Sequence, residues 1–425
     1  MVEMNVEDGD TFKEMVENRY VGGHSIFNIH FSGRMNLQIH SDEALDPPKR
    51  PVLQVLRHRS DSNHRPWLPP HTPYLARAAG RCYCHPRVTR MLAFTVTTNS
   101  PPLVSTGARF KVSAEKFPSF LPKQVDNIKD SFARKLASRI ERLPVHVGFT
   151  ENCIMSSVVK PSIQSNTSPV VLLHGFDSSC LEWRYTYPLL EEAGLETWAV
   201  DILGWGFSDL ERLPPCNVAS KREHFYQIWK SHIKRPMILV GPSLGAAVAI
   251  DFAVNHPEAV QNLVLIDASV YAEGTGNLAN LPRIVAYAGV YLLKSIPLRF
   301  YVNILAFNGI SLSTSIDWTN VGRLHCLFPW WEDATVNFMI SGGYDVSDQI
   351  DQVKQKTLII WGEDDKIISN KLAVRLHCEL PDAIIHQIPD CGHLPHVERP
   401  SSVAKLILEF IRENCKVEAQ SLSHH

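Results

Sequence analysis

Ser243 lies in the pentapeptide Gly241-Pro242-Ser243-Leu244-Gly245, a G-x-S-x-G pattern between two apolar runs. Residues 237–240 predict a short buried strand, and residues 246–250 predict the start of a helix. So sharp a turn needs a glycine on each side of the serine, because a Cβ there would clash, and it leaves the hydroxyl pointing into a cleft. We therefore predict that Ser243 is a nucleophile.

A serine hydroxyl is a weak nucleophile at neutral pH, so the chemistry needs a general base beside it and an acid that orients the base. Near the carboxyl end of the chain, His393 and His396 are candidates for the base, and Asp364 and Asp365 for the acid. Asp267, at the end of another predicted strand, is a further candidate for the acid.

Short apolar runs separated by stretches of helix length predict the elements that position these residues. A hairpin is predicted first, followed by strands that alternate with helices. Continuous apolar strands of this kind are typical of a mostly parallel sheet covered on both faces. The predicted hairpin covers residues 145–149 and 153–159, and the later strands cover 170–173, 197–200, 237–240, 263–266, 358–361 and 383–385.

Between residues 270 and 356 the alternation of strands and helices is interrupted. The inserted segment is rich in Tyr, Phe, Leu and Trp, and it contains the ten-residue apolar run 284–293. It predicts a helical cap, or lid, over the carboxyl ends of the strands, and we expect substrate specificity to be set there.

Five motifs in one order resemble those of the α/β-hydrolase superfamily, in its capped serine esterase, lipase and C–C hydrolase branch. The chain is also similar to plant plastid α/β-hydrolases. The resemblance covers residues 145–414 and implies an α/β fold whose twisted, mostly parallel sheet is flanked by helices, with a helical cap inserted late in the sheet. The motifs are His174-Gly175, Asp201…Gly204…Gly206…Ser208, the G-x-S-x-G pentapeptide, Trp361-Gly362-Glu363-Asp364-Asp365, and Gly392-His393…Glu398…Pro400.

The resemblance implies a catalytic triad of Ser243, Asp365 and His393, in the chain order of this superfamily. The family's Gly-x-x-Asp pattern selects Asp365 over Asp364. The family places the base directly after a glycine, which selects His393 over His396.

By the same resemblance, the backbone amides of Phe176 and Leu244 should form the oxyanion hole. We also expect Pro242, Trp330 and Trp331 to line the substrate pocket.

An apolar cap favours a carboxylic ester of a fatty or prenyl alcohol over a sugar or a peptide. Similarity to plastid hydrolases points to lipid metabolism, or to the release of phytol from chlorophyll-type esters for tocopherol synthesis. No cofactor is expected. Alternatives are a ligand-sensing member of the fold and a non-hydrolytic acyltransferase or lyase. An epoxide hydrolase is disfavoured because its chemistry needs aspartate at position 243.

Composition limits the partners. The chain has 425 residues, a formal net charge of −2 and a pI near 6.8, so it has no field to attract nucleic acid. Nine scattered cysteines suit a reducing compartment, and Cys82-Tyr83-Cys84-His85 lacks the second ligand pair of a zinc site, so no metal is expected. The longest apolar run is too short to span a bilayer, which predicts a soluble or peripheral protein.

The first 116 residues differ in character from the rest. Residues 1–90 carry Pro-Pro pairs and little periodicity, which predicts a disordered or spurious extension. Residues 91–116 are hydroxylated, with no acid before Glu115, and resemble a chloroplast transit peptide. We expect translation to begin at Met91 and the protein to reach the chloroplast stroma or envelope. If the segment is only a linker, the location is cytoplasmic.

The remaining boundaries follow from the predicted elements. Phe132, Leu136 and Ile140 recur every four residues and predict an amphipathic helix. The segments are an amphipathic helix or linker (117–144), the first part of the hydrolase core (145–269), the cap (270–356), the second part of the core (357–414) and a disordered tail (415–425).

Overall fold

The computed structural model describes residues 15–21, 24–30, 36–41, 116–271, 278–280 and 282–422, with only the backbone of 15–41, 278 and 415–422. The chain forms two units, Met1–Leu103 and Val104–His425, which are described separately. Most of the transit-like segment and the Cys82–His85 cluster lie outside the described residues.

The first unit contains an antiparallel three-stranded sheet of β1 (Met15–Val21), β2 (His24–His30) and β3 (Asn36–Ser41). The sequence analysis predicted a disordered or spurious extension over residues 1–90, and these three segments differ from that prediction because they form strands. Val21 pairs with His24 across Gly22-Gly23, and a two-glycine connection is a strong hairpin signal. Leu37 and Ile39 alternate with polar residues, the pattern of a strand.

The second unit is built on a twisted eight-stranded sheet with the order β11-β10-β9-β8-β6-β7-β5-β4. β6 to β11 run parallel to one another, whereas the β4–β5 and β5–β7 pairs are antiparallel. The predicted, mostly parallel sheet is confirmed. Its strands are β4 (Ile140–Val145), β5 (Ile154–Val159), β6 (Val170–Leu172), β7 (Thr197–Val200), β8 (Met237–Pro242), β9 (Val260–Ile266), β10 (Lys356–Gly362) and β11 (Ala383–Ile388).

Helices flank this sheet and form the cap. They are α1 (Ser131–Ala137), α2 (Thr186–Glu192), α3 (Val218–Ile228), α4 (Leu244–Asn255), α5 (Arg283–Leu293), α6 (Ile296–Ala306), α7 (Leu312–Arg323), α8 (Trp331–Ile340), α9 (Asn370–Glu379), α10 (Pro395–Glu398) and α11 (Pro400–Leu422). α5 to α8, with the short 3₁₀ turn Leu324–Leu327, occupy the predicted cap between β9 and β10. Among the described residues no helix is long and apolar enough to cross a membrane.

The sheet is buried on both faces because its strands are apolar at successive positions. In β8, Met237 and Leu239 join one hydrophobic cluster while Ile238 and Val240 join the cluster on the opposite face. Side chains alternate across a strand, so a continuous apolar run supplies both cores at once. The carboxyl ends of β6, β8, β9 and β10 therefore lie at one edge of a rigid sheet, where loops can present side chains.

Two boundaries differ from the sequence analysis. The predicted helix through residue 140 ends at Ala137, and Ile140 begins β4 instead, because residues 140–145 pair with β5 along their whole length. The sheet thus starts five residues before the predicted position. At the other end, α11 continues to Leu422 where a disordered tail was predicted, since residues 415–422 hold no Gly or Pro to end the helix.

Candidate active site

Ser243 sits in a strained turn between β8 and α4, with φ 48° and ψ −122°. A Cβ on Gly241 would overlap the carbonyl oxygen of Gly245, and one on Gly245 would come within 2.6 Å of the His174 carbonyl oxygen. Both flanking glycines are therefore required. The Ser243 amide donates to Ile266 at the end of β9 (2.8 Å), which fixes the turn to the sheet.

The structure brings the three predicted triad residues together. His393 Nε2 is 3.0 Å from Ser243 Oγ, and His393 Nδ1 is 2.8 Å from Asp365 Oδ2. These residues lie after β8, after β10 and after β11, so three parallel strands deliver them to one edge of the sheet. The chain of hydrogen bonds runs from hydroxyl to imidazole to carboxylate.

The Asp365 side chain is fully buried, and its hydrogen bonds settle the state of the pair. Burial would raise its pKa, but the hydrogen bond from His393 and the amides of Ile367 and Ile368 together lower it. An ionised Asp365 accepts the Nδ1 proton of His393, which leaves Nε2 as an acceptor facing the serine. This is the tautomer that a general base needs.

Asp267, the alternative acid, lies beside the pair without taking its place. Its Oδ1 accepts the Gly362 amide (3.0 Å), whereas Oδ2 has no hydrogen-bond partner among the described residues. Burial raises the pKa of Asp267 well above its usual range, and the negative charge of Asp365 raises it further. A neutral Asp267 can therefore face an ionised Asp365 without charge repulsion.

The predicted oxyanion loop adjoins the serine. A Cβ on Gly175 would lie 3.6 Å from Ser243 Cβ, so the loop after β6 lies directly against the nucleophile. Phe176 follows Gly175, and Leu244 begins α4. Within the described part of the chain, neither the Phe176 nor the Leu244 amide donates a hydrogen bond. Both donors are free to bind an oxyanion.

Two buried groups hold this loop from the core side. His174 Nε2 accepts the Ile202 amide (3.0 Å), so its Nδ1 carries the proton that is donated to the Gly175 carbonyl (2.8 Å). Glu182 Oε2 accepts the Gly175 amide (3.1 Å), and its Oε1 is 2.8 Å from His396 Nε2. Despite its burial, the contact with His396 lowers the pKa of Glu182 to about 2. His396 therefore supports the loop and is not the base.

The loop after β7 is tied down by Asp201. Its Oδ1 accepts the Cys180 amide (2.6 Å) and its Oδ2 accepts the Phe207 amide (2.9 Å). Gly206 has φ 69°, and a Cβ there would overlap the Asp201 carboxylate. Ser208 accepts the Ser157 amide of β5 (3.0 Å). The loop is a structural element that packs beneath the oxyanion loop.

The cap reaches the histidine directly. The Ala306 carbonyl, at the end of α6, accepts the His393 amide (2.7 Å). Glu398 accepts both the Gly392 amide (2.9 Å) and the Asn308 amide of the cap (3.0 Å). Asp364, the rejected candidate for the acid, accepts from the Asn308 side chain (2.7 Å).

The predicted pocket residues have varied surroundings. Pro242 is buried at the end of β8, and Trp330 stacks on Phe328 with 5.2 Å between ring centroids. Trp331 is fully buried, and its indole N–H donates to Asp177 (2.8 Å). This hydrogen bond accounts for Trp331 without a pocket. A role for these three residues in lining a pocket stays a prediction.

Two aromatic residues that sequence reasoning missed, Trp205 and Phe338, contact the ring of Phe176. Phe176 packs edge-on against Trp205 (5.3 Å between centroids), and Trp205 packs against Phe338 of α8 (5.0 Å). Phe176 is 37% exposed, so part of its ring is an apolar surface at the oxyanion loop. The aromatic character of positions 176, 205 and 338 was the available signal.

Within the part of the chain that the structure describes, two groups of side chains have the composition of metal ligands. In the first, Asp177, His325 and Cys326 converge, but the guanidinium of Arg299 hydrogen-bonds to both Asp177 and Cys326 and fills the place of a cation. In the second, Asp267 joins Asp365 and His393. There the Asp365–His393 hydrogen bond occupies the donor atoms that a metal would need.

This fold and this arrangement are those of an α/β-hydrolase with a serine in the turn between β8 and α4. The alpha/beta hydrolase family matches residues 170–406, more than half of the chain, and the chain belongs to that family.

Individual relatives agree with that assignment. The alpha/beta hydrolase domain-containing protein VTE7 of Arabidopsis thaliana is 60% identical over 316 residues, covering 73% of this chain and 96% of the relative. A 2-hydroxy-6-oxononadienedioate/2-hydroxy-6-oxononatrienedioate hydrolase of Cupriavidus pinatubonensis is 28% identical, covering 57% of this chain and 86% of that enzyme. The solved esterase of Exiguobacterium antarcticum has the same fold, with a TM-score of 0.53 and 16% identity over 64% of this chain and all of the esterase.

Proposed function

We propose that the chain is a serine hydrolase that cleaves carboxylic esters of apolar substrates through an acyl-enzyme. The observation that carries the proposal is the continuous hydrogen-bonded chain from Ser243 Oγ to His393 (3.0 Å) and on to Asp365 (2.8 Å). Ser243 is the nucleophile, His393 the general base, and Asp365 the carboxylate that orients the base.

The reaction follows from this geometry. Ser243 Oγ attacks the ester carbonyl carbon while its proton passes to His393 Nε2. The amides of Phe176 and Leu244 stabilise the resulting oxyanion, each contributing about 3 kcal/mol in the transition state. The protonated His393 gives its proton to the leaving alcohol, and a water molecule, activated by the same base, then hydrolyses the acyl-enzyme.

The outer surface of the cap supports an apolar substrate and peripheral contact with a membrane. Of thirteen large apolar side chains that are exposed in the described part of the chain, eight lie between residues 284 and 316. No Asp or Glu occurs between Glu273 and Asp317, so this surface lacks the charge that would repel lipid. Exposed apolar side chains concentrated in one segment of the chain favour an interaction site there. The eight are Ile284, Val285, Tyr291, Tyr301, Val302, Ile304, Leu312 and Ile316.

We place the enzyme in the chloroplast, in lipid metabolism or in the release of phytol for tocopherol synthesis. The transit-like composition of residues 91–116 and 60% identity to a protein of Arabidopsis thaliana support this context. The triad itself does not select among fatty, prenyl and phytyl esters.

The test uses the purified protein with a series of p-nitrophenyl esters of increasing chain length and with a phytyl ester. We expect hydrolysis with water as the only acceptor, kcat/KM rising with chain length, and covalent labelling of Ser243 by a fluorophosphonate. Ser243→Ala should lose hydrolysis and labelling while keeping the wild-type melting temperature. A Ser243→Ala variant that hydrolyses esters at the wild-type rate would refute the proposal.

A second candidate is hydrolysis of a carbon–carbon bond by the same three residues. It is favoured by the similarity to enzymes named 2-hydroxy-6-oxononadienedioate/2-hydroxy-6-oxononatrienedioate hydrolase. Turnover of a vinylogous 1,5-diketone at a kcat/KM above that for any ester in the series would decide for this candidate.

A further inference from the structure

Asp177 directly follows Phe176, whose amide is the proposed oxyanion donor. Its backbone has φ 50°, in the left-handed region that residues with a side chain rarely occupy, and the residue is buried. A strained conformation of this kind persists only where surrounding contacts hold it. The contacts that hold Asp177 come from the cap.

Three elements of the cap donate hydrogen bonds to the Asp177 carboxylate. Trp331 of α8 donates through Nε1 (2.8 Å), and His325 of the 3₁₀ turn lies 2.9 Å away through Nε2. Arg299 of α6 forms an ion pair with the other carboxylate oxygen. His325 and Trp331 are fully buried, and the Arg299 side chain is only 14% exposed, which strengthens these contacts.

The charge of Asp177 suits this arrangement. Burial alone would raise its pKa, but the Arg299 guanidinium and the His325 hydrogen bond together lower it, so the carboxylate is ionised. Arg299 also contacts Cys326 Sγ (2.7 Å) and donates to the Gly322 carbonyl (3.2 Å). The guanidinium is therefore fixed to the cap at one end and to the oxyanion loop at the other.

The oxyanion loop has two anchors, one on each side of the Phe176 amide. On the core side, Glu182 accepts the Gly175 amide (3.1 Å). On the cap side, Asp177 accepts from Arg299, His325 and Trp331. The orientation of the Phe176 N–H depends on both anchors, because the residue between two fixed neighbours has little rotational freedom.

We propose that Asp177 is a positioning residue for the oxyanion hole, held by Arg299, His325 and Trp331 so that docking of the cap aligns the Phe176 amide. This inference rests on the proposed serine hydrolase function. α6 also contacts the catalytic histidine, since the Ala306 carbonyl accepts the His393 amide (2.7 Å). A movement of α6 therefore changes the oxyanion hole and the base together.

The mechanism makes a specific kinetic prediction. Misaligning an oxyanion donor weakens binding of the transition state but not of the substrate in its ground state, so kcat falls while KM is unchanged. If the ion pair were merely structural, its loss would lower the melting temperature and leave kcat unchanged.

The experiment compares three variants of the full chain. Asp177→Asn keeps the side-chain volume but loses the charge that Arg299 pairs with. Trp331→Phe keeps the ion pair and removes one donor. Glu196→Gln is the control, because Glu196 is also a buried carboxylate that accepts from an arginine, an indole N–H and a backbone amide, but it precedes β7 at the amino end of the sheet.

For p-nitrophenyl butyrate we expect Asp177→Asn to lower kcat by about tenfold to a hundredfold and Trp331→Phe by about threefold to tenfold, with KM within twofold. The inhibition constant of a trifluoromethyl ketone, which forms an oxyanion on Ser243, should rise by the same factors. Glu196→Gln should leave kcat, KM and the inhibition constant unchanged.

An unchanged kcat in a folded Asp177→Asn variant overturns the proposal, as does a loss equal to that of Glu196→Gln. If Asp177→Asn fails to fold, Trp331→Phe decides, and wild-type kcat in that variant overturns the proposal. A wild-type protein that neither hydrolyses esters nor reacts with a fluorophosphonate refutes the proposed function instead, so the two failures are distinct.

Discussion

Replacing Asp365 by asparagine tests the role of the carboxylate most directly. Asp365 Oδ1 accepts the amides of Ile367 (2.7 Å) and Ile368 (3.0 Å), and Oδ2 faces His393 Nδ1 (2.8 Å). In Asp365→Asn the amide oxygen should keep the two backbone donors, which turns the NH₂ group toward His393. Nδ1 must then accept, so the proton moves to Nε2 and blocks the base.

The size of the loss in kcat follows from the free energy needed to turn the asparagine amide the other way. Turning the amide so that its oxygen faces His393 leaves two backbone N–H groups pointing at an NH₂ group. The exposed Ile367 bond is worth about 1 kcal/mol, and the half-buried Ile368 bond up to about 3 kcal/mol. The active orientation is thus disfavoured by about 2 to 4 kcal/mol, which lowers kcat by roughly 30-fold to 1,000-fold.

The assay is steady-state hydrolysis of p-nitrophenyl butyrate at pH 7.5, with thermal melts to show that the variant is folded. Asp364→Asn is the matched control, because the Asp364 carboxylate is adjacent in sequence but contacts Asn308 and not His393. The kcat of this variant should stay within about twofold of wild type. If Asp365→Asn keeps more than a third of the wild-type kcat, or if Asp364→Asn loses as much, the reasoning is wrong.

Three further predictions follow from other parts of the molecule. Gly241→Ala should lower the free energy of unfolding by at least about 3 kcal/mol, because the new Cβ overlaps the Gly245 carbonyl oxygen; a urea midpoint equal to wild type would contradict this. Glu182 has a pKa of about 2 in the folded state against about 4.5 when unfolded, so its contribution to stability is present above about pH 4.5 and is lost as the pH falls toward 2. Urea unfolding from pH 3 to 6 should show a weaker pH dependence for Glu182→Gln, and an unchanged pH dependence would count against an ionised Glu182 in the folded state. Residues 91–116 fused to a fluorescent protein should direct it to chloroplasts of leaf cells, and diffuse cytosolic fluorescence would exclude the plastid assignment.

The local parts of the site were predictable because the constraints act within a few residues. The turn around Ser243 needs glycine at positions 241 and 245. The apolar run before the turn forms strand β8, and the apolar run after it forms helix α4. β7 was predicted with its observed ends, Thr197–Val200, since Trp198, Ala199 and Val200 are successive apolar residues, as a strand buried on both faces requires. The order of serine, aspartate and histidine then came from the family pattern, not from spacing.

The predicted ends of helices and strands were wrong where two local patterns favoured different structures. Phe132, Leu136 and Ile140 have helical spacing, yet Ile140 belongs to β4, because pairing with β5 stabilises a strand more than an isolated last turn stabilises a helix. The hairpin of β1 and β2 was not predicted, although Gly22-Gly23 is a hairpin signal, because the proline pairs elsewhere in residues 1–90 are typical of disorder.

The sequence by itself determined most of the strands, the position of the cap and the strained turn at Ser243, because each depends on residues close together along the chain. Only the tertiary structure decided that His396 pairs with Glu182, 214 residues away, and that Asp177 pairs with Arg299, 122 residues away. Such pairs carry no local pattern, because a buried carboxylate needs a hydrogen-bonding partner that becomes available only after the sheet and the cap have enclosed both groups.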